Sequence, residues 1–116
     1  MTVPTGDRPT LLLTTTGARS GRPHTTSLVY APDGDRLLVL ASNYGAARHP
    51  DWYHNLIAHP DVRVEVAGEA YDAVAVVAAE PERERLFAAM AAHYPWLPDL
   101  QAQVRRTLPV VTLVRT

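Results

Sequence analysis

Short, β-branched and apolar segments joined by tight turns constrain the fold of this chain more than any other feature. Only residues 32–35, which include Asp33-Gly34, separate a strand-like segment at 25–31 from an apolar run at 36–42. An Asp-Gly pair supplies the positive φ angles that a tight hairpin turn needs. Parallel strands need a crossover connection of roughly a dozen residues or more, so a turn this short joins antiparallel strands. The chain is therefore expected to form an antiparallel sheet.

The other segments alternate between strand-like and helix-like patterns. Val62, Val64 and Val66 alternate with charged residues, which indicates a half-exposed strand. Strands are predicted at residues 10–16, 25–31, 36–42, 62–66, 70–79 and 110–114, and helices at residues 50–59, from residue 81 onwards and at residues 98–107. Hairpin-linked strands in this order do not fit a parallel Rossmann sheet. About six short strands in so small a chain favour an α+β fold, with an antiparallel sheet curled into a barrel and short helices at its rim.

Composition limits the possible functions. The 116 residues fit one domain, residues 1–116. The absence of cysteine excludes disulfides, cysteine nucleophiles and thiolate metal sites. A net charge of −1 gives no field that would attract nucleic acid. No apolar run approaches the roughly 20 residues of a membrane span, and residues 1–8 lack a secretion-signal pattern. A cytoplasmic protein with neither a nucleic-acid partner nor an integral membrane segment is therefore expected.

A first candidate site lies in the turn after the first predicted strand. Gly17 and Gly21 allow the backbone to turn tightly, and Arg19, Arg22 and His24 add positive charge beside several hydroxyl groups. Exposed amides and basic side chains are what an anionic, phosphate-bearing ligand needs. The glycine spacing is not that of a P-loop. The alternative is a solvated hairpin turn with ordinary surface arginines.

A second candidate site follows the third predicted strand. That strand ends at Ser42, a glycine-containing loop follows, and a helix begins near Pro50, where a helix N-terminus attracts anions. Trp52 shares one helix face with Leu56 and can wall a flat ring or pack in the core. Asn55 has a structural use as well, because its side chain can tie down loop backbone groups.

Other kinds of site find little support. His49, His54 and His59 recur every five residues, and this spacing places them on different faces of a helix rather than around one metal ion. No nucleophile elbow is present, and no pair of carboxylates forms an acid–base dyad. The segment at residues 94–98 combines two aromatic residues with two prolines in a rigid apolar corner. It is either a connection between helices or the wall of a substrate site.

Taken in order, these segments resemble the deazaflavin-dependent nitroreductase family over nearly the whole chain. The motifs that carry the resemblance are Leu11-Leu12-Leu13, Thr15-Thr16-Gly17, Arg19-Ser20-Gly21, Ala41-Ser42, His49-Pro50, Trp52-Tyr53, Asn55-Leu56, Tyr94-Pro95 and Arg106-Thr107-Leu108-Pro109-Val110. The resemblance implies a split β-barrel of the FMN-binding type. It also implies that reduced coenzyme F420, an 8-hydroxy-5-deazaflavin, gives a hydride to an electron-poor hydrophobic acceptor such as a quinone, an enone or a nitro compound.

The resemblance also assigns residues to roles. Contacts to the phosphate and the anionic tail are implied for Arg19, Ser20 and His24. Contacts to the ring are implied for Thr26, Ser27, Leu28, Ala41, Ser42, Asn43, Tyr44, Gly45, Trp52 and Asn55. The substrate-side wall corresponds to Tyr94, Trp96, Leu97 and Leu100. Ser42 is the candidate for a hydrogen bond to acceptor or coenzyme during catalysis, and Tyr94 either donates a proton or packs.

Several positions depart from the family pattern. Ala18, His24 and Asn43 stand where relatives often carry a basic residue, so weaker binding of the tail is expected. Leu97 and Leu100 replace tyrosines of the best-known members, so nitroimidazole reduction does not carry over. Two alternatives remain open: the same barrel with FMN as its cofactor, and a non-catalytic binding module for an anionic or hydrophobic small molecule. Both a monomer and a homodimer fit the sequence.

Overall fold

The computed structural model describes residues 9–116, so the N-terminal segment that lacks a signal pattern lies outside the described residues. The strands are β1 (Thr10–Thr16), β2 (Pro23–Val29), β3 (Ala31–Asp33), β4 (Arg36–Leu40), β5 (Asp61–Val66), β6 (Glu69–Val77) and β7 (Val110–Arg115). The helices are α1 (Asp51–Ala58), α2 (Glu82–His93) and α3 (Leu97–Ala102). No helix among residues 9–116 is long and apolar enough to cross a membrane.

All the strands belong to one antiparallel sheet in the order β2-β1-β5-β6-β7-β4-β3. The segment that the sequence predicts as one strand at residues 25–31 is divided at Tyr30 into β2 and β3. Since β2 pairs with β1 and β3 pairs with β4, the two halves of this segment form the two edges of the sheet. Because only Tyr30 separates β2 at one edge from β3 at the other, the two edges must lie close together, and the sheet is therefore curled. The predicted α+β barrel is confirmed, with seven strands among residues 9–116 where about six were expected.

The predicted hairpin between β3 and β4 is also confirmed. Asp33 pairs with Arg36 across a two-residue loop, and Gly34 takes a φ of +63° there. Arg36 Nε donates a hydrogen bond to Asp33 Oδ2 at 2.7 Å, and a second guanidinium nitrogen donates to Glu82 at 3.3 Å. The turn is thereby fastened to the first residue of α2.

Two apolar clusters lie on opposite sides of the sheet. Alternate residues of β4 show the division, because Leu37 and Val39 face the barrel interior while Leu38 and Leu40 face α2 and α3. Leu38 and Val39 are both fully buried, as expected for a strand covered on both faces. The barrel cluster supports α1, and the second cluster fixes α2 and α3 against β4 and β7.

The last predicted helix is shorter than the sequence indicates. The apolar spacing predicts a helix at residues 98–107, whereas α3 ends at Ala102. Side-chain hydrogen bonds replace the next helical turn: Gln101 Nε2 donates to the carbonyl of Arg106 at 2.9 Å, and the amide of Leu108 donates to Gln101 Oε1 at 2.9 Å. The extended chain carries the buried Leu108 into β7. The prediction was wrong here because apolar periodicity does not report competition from side-chain hydrogen bonds.

Candidate functional site

The loop at residues 17–22 joins β1 to β2 and is closed by its own backbone. The amide of Gly17 donates a hydrogen bond to the carbonyl of Arg22 at 2.8 Å, and the amide of Gly21 donates to the carbonyl of Gly17 at 3.0 Å. Gly21 has a φ of +69°, in the left-handed region that favours glycine. Arg19 and Arg22 are exposed, and the loop contains no acidic residue. The 17–22 loop therefore presents a positively charged surface.

Ser20 and His24 converge over the backbone of Gly17. The register between β1 and β2 places His24 opposite Thr15, two residues before Gly17. A Cβ atom on Gly17 would lie 2.9 Å from His24 Nε2 and closer still to Ser20 Oγ. A side chain at this position would therefore displace both groups. A hydroxyl and an imidazole above bare backbone, with arginines beside them, are a donor set that fits a phosphate group.

Asn55 of α1 attaches the 17–22 loop to the barrel. Its Oδ1 atom accepts a hydrogen bond from the amide of Ala18 at 3.0 Å, and its Nδ2 atom donates to Thr15 Oγ1 at 3.2 Å. Thr15 is only 1% exposed. The structural use predicted for Asn55 is confirmed, because both polar atoms of its amide are engaged by the loop and the strand beneath it.

The turn at residues 42–45 follows β4 and has an unusual backbone. Asn43, Tyr44 and Gly45 have φ angles of 48°, 56° and 80°, so three consecutive residues are left-handed. The amide of Gly45 donates to the carbonyl of Ser42 at 2.9 Å. A Cβ atom on Gly45 would lie 3.3 Å from Leu100 Cδ1, which shows how closely the turn approaches α3. The 42–45 turn and α3 therefore form one continuous surface.

Arg106 holds the segment that contains this turn. Its Nε donates to the carbonyl of Ala46 at 3.0 Å, one Nη donates to the carbonyl of Ala41 at 3.1 Å, and the other donates to the carbonyl of Ser42 at 2.8 Å. The Nη1 atom also lies 2.8 Å from His49 Nδ1. Sequence reasoning included Arg106 only within a family motif and missed this role. Its acceptors are backbone carbonyls, which leave no mark in the sequence.

His49 lies between Arg106 and the first turn of α1. Its ring centroid is 4.5 Å from that of Tyr53 and 5.9 Å from that of His54. Burial lowers the pKa of His49 from its usual 6.5, and the nearby charges of Arg106 and His54 lower it further. A neutral imidazole keeps one ring nitrogen as an acceptor, so Nδ1 can accept the Arg106 N–H when the ring proton is on Nε2.

The predicted substrate-side wall is only partly accessible. Leu97 is 2% exposed and Tyr94 is 7% exposed, and both belong to the cluster beneath α2 and α3. The Tyr94 hydroxyl donates to the carbonyl of Tyr30 at 2.5 Å, at the point where β2 passes into β3. Trp96 and Leu100 are half-buried and expose part of their side chains. The proton-donating role of Tyr94 stays a prediction, and its packing role has a clear structural basis.

The remaining predicted ring contacts differ in accessibility. Thr26 pairs with Leu13 and Leu28 pairs with Leu11, so these β2 side chains face the barrel side of the sheet. Ser27 pairs with the exposed Leu12, and strand alternation places its side chain on the other face. A ring contact from Ser27 would therefore come from its backbone.

The predicted ring-contact residues after β4 and in α1 differ in their exposure to solvent. Ala41 is fully buried and Tyr44 is fully exposed. Trp52 is half-buried and packs against the barrel cluster. The side-chain Nδ2 of Asn43 donates to the carbonyl of Arg48 at 3.1 Å, within the segment that follows β4. Ser42, which is half-buried, makes no side-chain capping hydrogen bond to the turn.

Helix α1 brings the two candidate segments together. Tyr53, near its first turn, stacks on His49 beside Arg106, and Asn55 holds the 17–22 loop. An open cavity of about 470 Å³ lies beside the end of β1, and none of the predicted contact residues lines it. We place the candidate site around α1 because the charged and strained groups are there. Among residues 9–116, no cluster of three or more histidine or acidic side chains could hold a metal ion.

Known proteins resemble this chain in sequence and in fold. A family model described as F420H(2)-dependent quinone reductase matches residues 2–115. An F420H(2)-dependent quinone reductase of Mycobacterium tuberculosis is 42% identical over 116 residues, which cover 95% of this chain and 76% of that protein. The solved structure of an F420-H2 dependent reductase, FDR-A, has a TM-score of 0.83 and 32% identity, and the match covers 97% of this chain and 99% of that one.

Two further structures bear on assembly and on fold. One described as a domain-swapped dimer has a TM-score of 0.83 and 32% identity, and the match covers 92% of this chain and 81% of that one. The heme-storage protein HutZ of Vibrio cholerae has a TM-score of 0.71, with 96% and 84% of the two chains covered. At 19% identity, that likeness extends to the fold alone.

The curled antiparallel sheet with three short helices is the α+β split-barrel fold of cofactor-dependent reductases. Within that class, the chain belongs to the F420H(2)-dependent quinone reductase family. The deazaflavin-dependent family expected from the sequence motifs is thereby confirmed, with quinone reduction in the family's description rather than nitro reduction.

Proposed function

We propose that this chain is an F420-dependent reductase that transfers a hydride from the reduced coenzyme to a small, electron-poor quinone. The observation that carries the proposal is the arrangement over Gly17, where Ser20 and His24 converge beside exposed arginines in a loop without acidic residues. Surface turns have no need of such an arrangement, whereas a phosphate-bearing coenzyme does. Family membership supplies the identity of the coenzyme and the class of acceptor.

In this proposal the coenzyme's charged and flat parts contact different segments. Arg19, Ser20 and His24 bind the phosphate and the anionic tail. The 42–45 turn and the exposed part of Trp52 bind the ring. Helix α1 keeps the two segments at a fixed separation, because Asn55 holds the 17–22 loop and Tyr53 stacks on His49, which contacts the Arg106 side chain that holds the turn. A fixed separation lowers the entropy lost when an extended coenzyme binds.

The acceptor lies on the α3 side of the ring in this proposal. Trp96 and Leu100 offer apolar surface there, and Leu100 already packs against Gly45 of the turn. Apolar side chains exclude water and bind the hydrophobic ring of a quinone. Deazaflavin chemistry supplies a hydride when the reduced coenzyme is bound, so the protein chiefly orients the two rings. Ser42 is the side chain we assign to a hydrogen bond with the acceptor or the coenzyme.

The test compares ligands and variants by titration. The wild-type protein is titrated with F420 and with FMN, and we expect the tighter binding for F420. Arg19→Ala should weaken F420 binding by about 1–3 kcal/mol, because it removes a charge-assisted hydrogen bond to an anionic oxygen. Arg85→Ala is the matched control: it removes the same charge from α2, where Arg85 is exposed and paired with Glu82.

Three results would contradict the proposal. These are tighter binding of FMN, the absence of saturable F420 binding, and equal effects of the Arg19 and Arg85 substitutions. The last would return the 17–22 loop to the status of a solvated turn.

The oligomeric state and the cellular setting follow from the same proposal. A homodimer is compatible with the similar structure described as a domain-swapped dimer, and a monomer with a coenzyme site built within one chain. We infer a cytoplasmic enzyme with a small-molecule substrate and no nucleic-acid partner, because the chain has no cysteine and a net charge of −1.

A further inference from the structure

The acceptors around Arg106 are unusual for a partly buried arginine. Its guanidinium contacts the carbonyls of Ala41, Ser42 and Ala46 and the ring of His49, all of them uncharged acceptors. None of the ion pairs formed by residues 9–116 includes Arg106. A charge of this kind is desolvated without a carboxylate to compensate it, and burial lowers the pKa of Arg106 accordingly. In this position the Arg106 side chain fixes the backbone at residues 41–46.

The three carbonyls flank residues 43–45, whose left-handed backbone conformation is not readily adopted without support. Ala41 and Ser42 precede the left-handed residues, and Ala46 follows them. Asn43 and Tyr44 carry side chains in a region where residues other than glycine are uncommon. Such a conformation persists where surrounding contacts over-determine it. The planar fork of an arginine matches this task, because its donors have fixed directions that a lysine lacks.

We propose that Arg106 is a positioning residue that holds the 42–45 turn in its left-handed conformation, so that the ring site exists before the coenzyme binds. This inference rests on the proposed function for the identity of the ligand, although the conformational part concerns the free protein. Arg106 contacts the backbone on either side of the left-handed residues, and it acts through the turn rather than on the reacting atoms.

His49 makes this arrangement sensitive to pH. Its Nδ1 atom accepts from Arg106 only while the ring is neutral, because a protonated imidazole carries donors on both nitrogens. The groups that face the ring are Arg106 from the chain before β7 and Tyr53 and His54 from α1. None of these three groups carries a carboxylate, so none of them would stabilise a charged ring. Protonation should therefore push the guanidinium away and loosen the turn.

The principal test uses Arg106→Lys, which keeps the charge, with Arg105→Lys as the matched control on an exposed neighbour. Amide hydrogen exchange is measured on the coenzyme-free proteins, and F420 affinity is measured by titration. For Arg106→Lys we expect about tenfold faster exchange at Gly45 and Ala46 and about tenfold weaker binding, as befits the loss of one or more charge-assisted hydrogen bonds. Exchange in β1 and β5 should stay at the wild-type rate, and Arg105→Lys should leave every measurement unchanged.

A second variant tests the contribution of His49. His49→Gln retains an acceptor for Arg106 and does not titrate. F420 affinity of the wild type should fall as the pH drops below about 6.5, because the pKa of His49 is lowered from that value, and His49→Gln should remove most of this fall.

The outcomes separate the possible errors. Wild-type exchange at Gly45 and Ala46 in Arg106→Lys overturns the inference, and so does faster exchange without weaker coenzyme binding. Faster exchange spread evenly over the barrel would show a general structural role and would also overturn it. A wild-type protein that does not bind F420 refutes the proposed function instead, and the exchange at Gly45 then still decides whether Arg106 holds the turn.

Discussion

Replacing Asn55 with leucine should detach the 17–22 loop from the barrel at a cost that the structure allows us to estimate. The substitution keeps a side chain of similar size and removes two hydrogen bonds, to the amide of Ala18 and to the hydroxyl of Thr15. These two partners differ in their access to water. Ala18 is exposed, so water can replace the lost acceptor, whereas Thr15 is 1% exposed and its hydroxyl loses the partner without replacement.

The larger cost therefore comes from Thr15. A buried hydroxyl without a partner costs about 1–3 kcal/mol, and the exchange of a bond at Ala18 for water adds about 0.5–1.5 kcal/mol at most. We expect Asn55→Leu to lower the free energy of unfolding by about 2–3 kcal/mol. Asn55→Asp should cost less than about 1 kcal/mol, because a carboxylate can accept from both the Ala18 amide and the Thr15 hydroxyl.

A double-mutant cycle with Thr15→Val isolates the buried contact. Urea unfolding gives the free energies, and all four proteins should show similar dependence on denaturant. Because valine removes the hydroxyl that Asn55→Leu leaves unpaired, the double variant should be about 1–2 kcal/mol more stable than the sum of the single effects predicts. Additive effects would refute the reasoning, since the two side chains would then not depend on one another.

Three further outcomes follow from the site. Gly17→Ala should displace the His24 ring and weaken F420 binding about tenfold, with a stability change within about 1 kcal/mol because side-chain ends can rotate away; unchanged affinity by titration would contradict it. Tyr94→Phe removes the hydrogen bond to the carbonyl of Tyr30 and should cost about 0.5–1.5 kcal/mol in thermal unfolding with turnover retained, whereas loss of turnover alone would support proton donation. Since burial lowers the pKa of His49 in the folded state, the unfolded chain takes up the proton first as pH falls. Stability should be level above about pH 6.5 and decline below it, and His49→Gln should flatten the decline in unfolding measurements across this range.

The parts of the fold that depend on local chemistry were predictable from the sequence. The Gly34 hairpin turn, the burial of β4 on both faces and the alternation of Val62 and Val64 each reflect a rule that acts over a few residues. The division of one predicted strand at Tyr30 was not predictable in this way. It arises because β2 and β3 pair with strands at opposite edges of the sheet, and pairing of that range has no local pattern.

The site also has parts that local chemistry predicts and parts that it does not. The glycines and arginines of the 17–22 loop are recognisable in the sequence, and a role for Asn55 in holding loop backbone could be anticipated from its side-chain chemistry. Strand alternation places the Thr26 and Ser27 side chains on opposite faces, and only the pairing with β1 shows that Thr26 is the one on the barrel side. The role of Arg106 could not be inferred, because its partners are carbonyls some sixty residues earlier in the chain.

Single-turnover stopped-flow spectroscopy can show whether this chain catalyses hydride transfer from reduced F420 to a quinone. Protein loaded with reduced F420 is mixed with a soluble quinone, and coenzyme absorbance is followed with ordinary coenzyme and with coenzyme deuterated at its hydride-donating carbon. We expect oxidation of one bound coenzyme per quinone consumed, faster than without protein and slowed by deuteration. Oxidation no faster than the protein-free rate, at a protein concentration that saturates the coenzyme, would contradict it.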